Sequence, residues 1–360
     1  MNFSFSNEQL EFRDTVEAML QKEVTPERIR ARWETDSGAD TDFEAKIAEM
    51  GIPVMLVPEE QGGLGLGPVD LVLIAEAAGR VAMPESVVND ALVVAPLLAE
   101  LALDDARCEQ LLPQLLAGEI RLGVAHQINP FINFGADRDW FILPQGDEVH
   151  LLARDEVSIT PAGSVDPSRR LARVDWKPGA RSRVASGKYG AKLWRATLNR
   201  GALGAAAQLA GLAQGMIERA VAYSADREQF GKPIGSFQAV KHLMADCATR
   251  LEFARAPLYR SAYTVGVAAE RADYAISHAK VATGEAALLA ARHAMQVHGA
   301  MGYTWECDLQ IWMKHAWALD KAWGDAGFHK NRVHQWLLQE SALTGPEHSF
   351  GRQPQELSYA

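Results

Sequence analysis

The stretch Arg227-Glu228-Gln229-Phe230-Gly231-Lys232-Pro233-Ile234 decides the fold of the second half of the chain. Long segments with apolar residues at helical spacing lie on both sides of it, and its Gly and Pro cannot continue a helix. The stretch His298-Gly299-Ala300-Met301-Gly302 is a second interruption of this kind. The pattern predicts four long helices, at about 189–227, 237–268, 273–298 and 309–340. Four long helices with short connections indicate an antiparallel four-helix bundle.

The preceding residues divide into two zones. Ser6 and Gln9 form a capping box that opens a helix ending near Lys22, and helical patterns continue to about residue 118 around the loop 58–67. Short apolar runs separated by Asp, Gly and Pro then predict strands at 123–126, 140–143, 149–152 and 157–160. We therefore predict a mainly α protein with a small β segment. Its parts are an N-terminal helical domain (1–118), a reduced β middle domain (119–186), a C-terminal four-helix bundle (187–340) and a tail (341–360).

Composition excludes several classes of function. The chain has 360 residues, of which 48% are hydrophobic and 23% charged, as in ordinary globular proteins rather than disordered ones. Its net charge of −10 disfavours nucleic-acid binding. The three separated cysteines predict no disulfide scaffold, and no His pair has the spacing and third ligand of a metal site. The longest uncharged run, 201–217, is Ala- and Gly-rich, so we expect a buried helix and no membrane span. The sparse cysteines predict a cytoplasmic protein.

Three motifs in their order carry a resemblance to a known family. They are Val57-Pro58-Glu59-Glu60-Gln61-Gly62-Gly63-Leu64-Gly65, the stretch 227–234 with Phe237-Gln238-Ala239-Val240, and Gln296-Val297-His298-Gly299-Ala300-Met301-Gly302-Tyr303. With the order of helices, β segment and bundle, they make the chain similar to the acyl-CoA dehydrogenase family from Phe5 to about Gln339. The resemblance implies FAD as cofactor and oxidation of the α–β carbon bond of a CoA thioester.

The resemblance also implies which residues touch FAD. Arg227, Gln229 and Phe230 match family positions that hold its pyrophosphate and adenine, and a planar guanidinium suits a phosphate. The full predicted set is Arg227, Gln229, Phe230, Phe237, Gln238, Gln296, His298, Gly299 and Ala300. In the family these loops serve the flavin of a neighbouring subunit, which implies FAD shared at a subunit interface. The alternative interpretation is that both stretches are only helix ends and turns.

Departures from the family pattern concern the flavin ring. The family's Thr-Glu-Pro-x-Ala-Gly-Ser-Asp segment is replaced by Gly123-Val124-Ala125-His126-Gln127-Ile128-Asn129-Pro130, and no Trp-Ile-Thr segment exists anywhere in the chain. The β segment has about half the usual length. We therefore expect that this chain does not build a complete flavin-ring pocket by itself.

The catalytic base is the second departure. The reaction needs a carboxylate beside the substrate α-carbon, but the two positions at which family members carry it correspond here to Trp323 and Gly201. No acidic residue lies between Ala191 and Ile217. We therefore assign no catalytic residue; Asp325, two residues past Trp323, is the nearest candidate. We expect Trp323 to fill the space that an acyl chain and flavin ring occupy in a catalytic relative.

These observations lead to one preferred hypothesis. The chain is predicted to be the base-lacking subunit of a heteromeric acyl-CoA dehydrogenase, paired as α₂β₂ with a homologous catalytic subunit. Its substrate would be an acyl-CoA, with bulky and steroid-derived acyl groups among the candidates, and its electron acceptor would be an electron-transferring flavoprotein. Two alternatives stay open: a self-sufficient homo-oligomeric dehydrogenase with an unusual base, and a scaffold subunit without flavin contact.

Overall fold

The N-terminal part of the computed structural model is a set of short helices that pack on one another. The structure describes residues 4–84, 86–267, 269–339 and 342. The predicted capping box is present, since the Ser6 hydroxyl accepts from the Gln9 N–H at 3.2 Å. The helices are α1 (Asn7–Glu23), α2 (Pro26–Trp33), α3 (Thr41–Glu49), α4 (Pro68–Arg80), α5 (Val87–Asn89), α6 (Ala95–Leu101) and α7 (Ala106–Leu116), with a π-helical turn (Asp90–Val94) joining α5 to α6.

The β segment that follows forms two small sheets. One has the strand order β1-β3-β4-β7, with β1 parallel to β3 and the other pairs antiparallel, and the second has the order β2-β6-β5. Four strands were predicted here, and sequence periodicity missed the short or partly polar β2, β6 and β7. The strands are β1 (Leu122–Val124), β2 (Ile132–Asn133), β3 (Trp140–Gln145), β4 (Glu148–Ala153), β5 (Ser158–Pro161), β6 (Leu171–Asp175) and β7 (Arg183–Ala185).

The C-terminal part is the predicted bundle, with one correction. Its elements are α8 (Gly187–Asp226), the hairpin β8 (Glu228–Gln229) and β9 (Lys232–Pro233), α9 (Gln238–Val267), α10 (Ala269–His298), α11 (Leu309–Lys321) and α12 (Ala326–Leu337). The prediction of one continuous helix over 309–340 is wrong. The chain breaks at Trp323 and Gly324, whose φ angles of 56° and 99° are left-handed, and Asp325 caps the new helix α12.

Helix α8 is the centre of the molecule. It packs against α4, α9, α10 and α11, and residues 201–217 are buried along it except for the half-buried Gln214. Close approach to α4 requires Gly211, because a Cβ there would overlap the Glu76 carbonyl. Among the described helices, none is both long enough and apolar enough to cross a membrane. The predicted tail lies outside the described residues, apart from Ala342.

Helices α8 and α10 run in the same direction. Near their starts, the Asn199 amide donates to the Asp273 carboxylate at 2.7 Å. Near their ends, the rings of Tyr223 and His298 stack with centroids 4.3 Å apart and an interplanar angle of 20°. The segments that follow both helices therefore lie at the same end of the bundle. These segments are the two predicted FAD loops.

Candidate functional site

The loop after α8 is a tight hairpin that exposes its tip. The Arg227 carbonyl accepts from the Ile234 N–H at 2.8 Å, and Gln229 pairs with Lys232 across the hairpin. At the tip, Phe230 and Gly231 have φ angles of 54° and 77°, the conformation of a two-residue hairpin turn. A bulky non-glycine residue with positive φ is strained, and such strain is concentrated at functional positions.

The side chains of this hairpin are available to a ligand. Phe230 is 93% exposed, and its ring makes an edge-to-face contact with Phe237, with centroids 6.1 Å apart. The Arg227 guanidinium is exposed and has no hydrogen bond or ion pair to any part of the chain that the structure describes. Gln229 and Gln238 are also exposed, whereas Phe237 is half-buried under Lys232. An unpaired guanidinium beside an exposed aromatic ring suits a phosphate and a planar base.

The loop after α10 lies at the same end of the bundle as this hairpin. Gly299 has a φ of 58°, and residues Gly299–Tyr303 form a 3₁₀ turn. Gln296, Gly299 and Ala300 are exposed. His298 differs from them because it is buried: its ring stacks on Tyr223 and its Nδ1 lies 2.8 Å from the Ala294 carbonyl. Burial lowers the pKa of His298, so this side chain is neutral and supports the loop from within.

The two positions that the sequence aligns with the family's base, Trp323 and Gly201, meet in space. Trp323 is 5% exposed, and its indole lies directly on the backbone of α8 at Gly201. A Cβ on Gly201 would approach Cε3 of the indole to 2.6 Å and would overlap two further ring atoms more closely. Gly201 is therefore the residue that allows the indole to occupy this place.

The turn that carries Trp323 is held by two polar side chains, the half-buried Asn129 and the buried His329. The Trp323 N–H donates to Asn129 Oδ1 at 3.1 Å, and the Trp323 carbonyl lies 2.9 Å from His329 Nε2. The carbonyl can only accept, so His329 carries its proton on Nε2, and its Nδ1 lies 3.0 Å from Ser277 Oγ. Burial lowers the pKa of His329 to about 3, so the ring is neutral. Asn129 belongs to the segment that replaces the family's flavin-ring motif.

A buried lysine also supports this turn. Lys280 on α10 donates from Nζ to the Asp320 carbonyl at 2.9 Å and to the Gly324 carbonyl at 3.4 Å. It is 2% exposed, and burial lowers its pKa to about 8. Sequence analysis missed Asn129, Lys280 and His329. For Lys280 the available signal was a lone cation within an otherwise apolar stretch of helix.

Little space remains beside Trp323. The adjacent cavity has a volume of about 20 Å³, which accommodates one water molecule but no acyl chain. Its described lining contains no Asp or Glu and two arginines. The lining residues are Val88, Asn89, Leu92, Val93, Asn133, Arg169, Arg200, Gly201, Gly204, Ala205, Gln208, Leu319, Ala322 and Trp323.

Asp325, the nearest candidate base, has a structural contact. Its Oδ1 accepts from the Phe328 N–H at 2.9 Å at the start of α12, and this hydrogen bond is the main cause that lowers the pKa of Asp325. A carboxylate that caps a helix satisfies backbone donors that would otherwise be unpaired. It is exposed, whereas Trp323 is buried.

Comparisons with known proteins agree with this architecture. Residues 6–119 match the family profile described as acyl-CoA dehydrogenase, N-terminal domain, and residues 188–338 match that described as acyl-CoA dehydrogenase, C-terminal domain. The chain is 31% identical over 312 residues to acyl-CoA dehydrogenase IpdE2 of Mycolicibacterium smegmatis, an alignment that covers 86% of this chain and 93% of that protein.

The chain has the same fold as chains of two solved structures, each of which pairs two differently named chains. A chain of the ChsE4-ChsE5 complex from Mycobacterium tuberculosis aligns with a TM-score of 0.82 and 22% identity, over 95% of this chain and 100% of that one. A chain of the Tcur3481-Tcur3483 steroid ACAD G363A variant aligns with a TM-score of 0.78 and 22% identity, over 91% of this chain and 97% of that one. From the two family profiles and the identity to IpdE2, this chain belongs to the acyl-CoA dehydrogenase family.

Proposed function

We propose that this chain is the non-catalytic subunit of a heteromeric, FAD-dependent acyl-CoA dehydrogenase. The observation that carries the proposal is that the indole of Trp323 lies on Gly201. Both positions from which family members present the base are taken up by this contact, and the cavity beside it holds about 20 Å³. With this contact in place, the chain offers a CoA thioester neither a carboxylate that could act as base nor the space to bind.

The exposed loops at the bundle end argue for a retained role in FAD binding. Arg227 and Phe230 fit the pyrophosphate and adenine of FAD because one is an unpaired cation and the other an exposed ring. Gln229, Gln238, Gln296, Gly299 and Ala300 form the rest of this surface, with Phe237 and His298 beneath it. Bound FAD supplies the hydride acceptor of the dehydrogenation. This chain's residues would hold its nucleotide end at the interface, while the partner holds the ring.

The partner we propose is a homologous catalytic subunit, in an α₂β₂ assembly. Two structural neighbours support this choice, because each pairs two differently named chains, ChsE4 with ChsE5 and Tcur3481 with Tcur3483. The Tcur3481-Tcur3483 protein is a steroid ACAD, and we extend this to a bulky, steroid-derived acyl-CoA as the substrate of the complex. An electron-transferring flavoprotein would reoxidise the flavin. The domain boundaries at 118 and 186 stay predictions.

The two alternatives have less support. A self-sufficient dehydrogenase would need a base, and Asp325 already accepts a backbone hydrogen bond as the cap of α12. A scaffold without flavin contact would have no physical need for an exposed, unpaired Arg227 beside the strained and exposed Phe230.

The experiment compares the chain alone with the chain coexpressed with its catalytic homologue. We expect the chain alone, after incubation with FAD and gel filtration, to show no flavin absorbance and no change on addition of octanoyl-CoA. The coexpressed complex should contain half as many flavins as chains. A yellow preparation of this chain alone that is bleached by an acyl-CoA would overturn the proposal. A flavin count equal to the chain count in the complex would do the same.

A further inference from the structure

A hydrogen-bonded chain of three side chains lies in the β segment and shares no residue with the FAD loops or the cavity at Trp323. Glu148 and His150 are alternate residues of β4 and therefore point to the same face of the sheet. Ser182 precedes β7 and is held beside β4, because its carbonyl accepts from the Leu151 N–H at 2.8 Å. His150 Nδ1 lies 3.0 Å from Ser182 Oγ, and His150 Nε2 lies 3.0 Å from Glu148 Oε2. This order of hydroxyl, imidazole and carboxylate is that of an activated nucleophile.

The charge of Glu148 decides where the protons of this chain lie. The Arg183 guanidinium donates to Glu148 Oε1 at 2.6 Å, and this contact, together with the His150 ring, lowers the pKa of Glu148. An ionised carboxylate can only accept, so His150 carries a proton on Nε2, and when the ring is neutral its Nδ1 is an acceptor. The Ser182 hydroxyl then has two acceptors, His150 Nδ1 and the Gly179 carbonyl, each 3.0 Å from Oγ. A hydroxyl that donates to a neutral imidazole can pass its proton to that ring.

The imidazole is shielded from water, whereas the serine borders a groove. His150 is 1% exposed, and the ring of Trp176 packs on it with centroids 4.9 Å apart. Ser182 is half-buried and lines a groove with a volume of about 510 Å³, within the range of small-molecule sites. A substrate in this groove would therefore meet the serine before the base.

Two backbone N–H groups lie in the turn that leads into Ser182. The Ser182 N–H donates to the Gly179 carbonyl at 3.2 Å and closes a β-turn. The N–H groups of Ala180 and Arg181, inside this turn, have no acceptor in the part of the chain that the structure describes, and both residues are exposed. Backbone N–H groups beside a nucleophile are the donors that stabilise the oxyanion of an acyl-transfer reaction.

The charges at the groove favour an anionic substrate. Both acidic residues of its described lining are engaged, since Glu156 accepts a backbone N–H at 2.8 Å and Asp175 accepts from Arg173 at 3.2 Å. The side chains of Lys177 and Arg181 are exposed, and neither has a hydrogen bond or ion pair among the described residues. These two cations would attract a substrate that carries a negative charge.

We propose that Ser182 and His150 form an esterase site for an ester that carries a negative charge, with Glu148 as a positioning residue. Ser182 Oγ attacks the carbonyl carbon, and its proton moves to His150 Nδ1. The bond to the alcohol oxygen then breaks, and that oxygen takes the proton from Nδ1. Water attacks the acyl-serine in the same way, which releases the acid and returns the proton to Ser182 Oγ. The net reaction converts ester and water to acid and alcohol, and it needs no oxidant or reductant.

Labelling of the full chain with a fluorophosphonate tests the nucleophile. The probe loses fluoride to an activated serine, and mass spectrometry of the digested protein locates the adduct. We expect one adduct, on Ser182, that is absent from Ser182→Ala and forms at least about a hundredfold more slowly in His150→Gln. The matched control is Ser158→Ala, which removes an exposed serine from the same groove and should label as fast as the wild type. No adduct on Ser182, or equal labelling rates in the wild type and His150→Gln, would overturn the proposal.

Hydrolysis of two chromogenic esters tests the substrate class and the role of Glu148. The mono-4-nitrophenyl ester of adipic acid carries a carboxylate, and its methyl diester is the neutral counterpart with the same leaving group. We expect a kcat/KM about threefold to tenfold higher for the charged ester at low salt, and a smaller ratio at about 0.5 M NaCl. Glu148→Gln should lower kcat by at least about tenfold and leave KM unchanged, because Glu148 acts through His150. Equal kcat/KM values for the two esters at low salt, hydrolysis that Ser182→Ala does not reduce, or an unchanged kcat in Glu148→Gln would refute the assignment.

Discussion

The contact between Trp323 and Gly201 predicts a large energetic coupling between two positions on different helices. Replacing Gly201 with alanine puts a Cβ 2.6 Å from Cε3 of a buried indole that cannot move without disturbing the turn behind it. Overpacking of this kind costs up to about 3 kcal/mol. The alanine recovers about 1 kcal/mol because it is the better helix former. We therefore expect Gly201→Ala to destabilise the protein by about 2 kcal/mol.

Removing the indole should reverse the sign of that effect. Trp323→Ala alone should cost roughly 3–5 kcal/mol, as truncation of a buried aromatic does. In that background nothing opposes the Cβ, so Gly201→Ala should stabilise the protein by about 1 kcal/mol. The coupling energy is then about 3 kcal/mol, at the upper end of values for residues in contact.

Denaturant unfolding of the four proteins of this double-mutant cycle measures the coupling. The matched control is Gly204→Ala, less than one turn along α8, where the new Cβ would meet Leu92 rather than Trp323. Its cycle with Trp323→Ala should be additive within about 0.5 kcal/mol. Additive behaviour of Gly201→Ala and Trp323→Ala would show that the indole does not lie on α8, and the main support for a non-catalytic subunit would be lost.

Three further predictions concern the cofactor loops, the base position and pH. In the complex with the catalytic subunit, Arg227→Ala should weaken FAD retention by about tenfold to a hundredfold in dialysis, and Arg227→Lys by less; unchanged retention would contradict a phosphate contact. Trp323→Glu should produce no dehydrogenation of octanoyl-CoA, and turnover by this variant would contradict the closed site. The substitution should also lower the free energy of unfolding by roughly 3–5 kcal/mol in thermal unfolding, because it buries a carboxylate without a partner. Because the pKa of His329 is about 3 in the fold against an ordinary 6.5, the unfolded chain binds an extra proton between these values, and stability falls as pH falls through that window. His329→Gln should reduce this slope by about 1.4 kcal/mol per pH unit; a slope unchanged by this substitution would contradict a buried neutral His329.

The fold class was predictable because its signals are local. A capping box, helical periodicity and glycine-containing interruptions depend on residues within a few positions of each other, and all three placed the N-terminal helices and the bundle correctly. The split between α11 and α12 was not predictable in this way. Trp323 is a bulky residue in a helical pattern, and its left-handed conformation is stabilised by Asn129, Lys280 and His329, which are distant in sequence.

For the candidate site too, some features were predictable from the sequence and others were not. The sequence alone determined the family, the two loops that we propose bind FAD and the residue types, Trp and Gly, at the two positions aligned with the family's base, since each is a matter of residue type at a motif position. Only the tertiary structure decided that the two altered positions are one contact and that 20 Å³ remains beside it. Volumes and contacts of this kind arise when distant helices pack together, and no local pattern of residues encodes them.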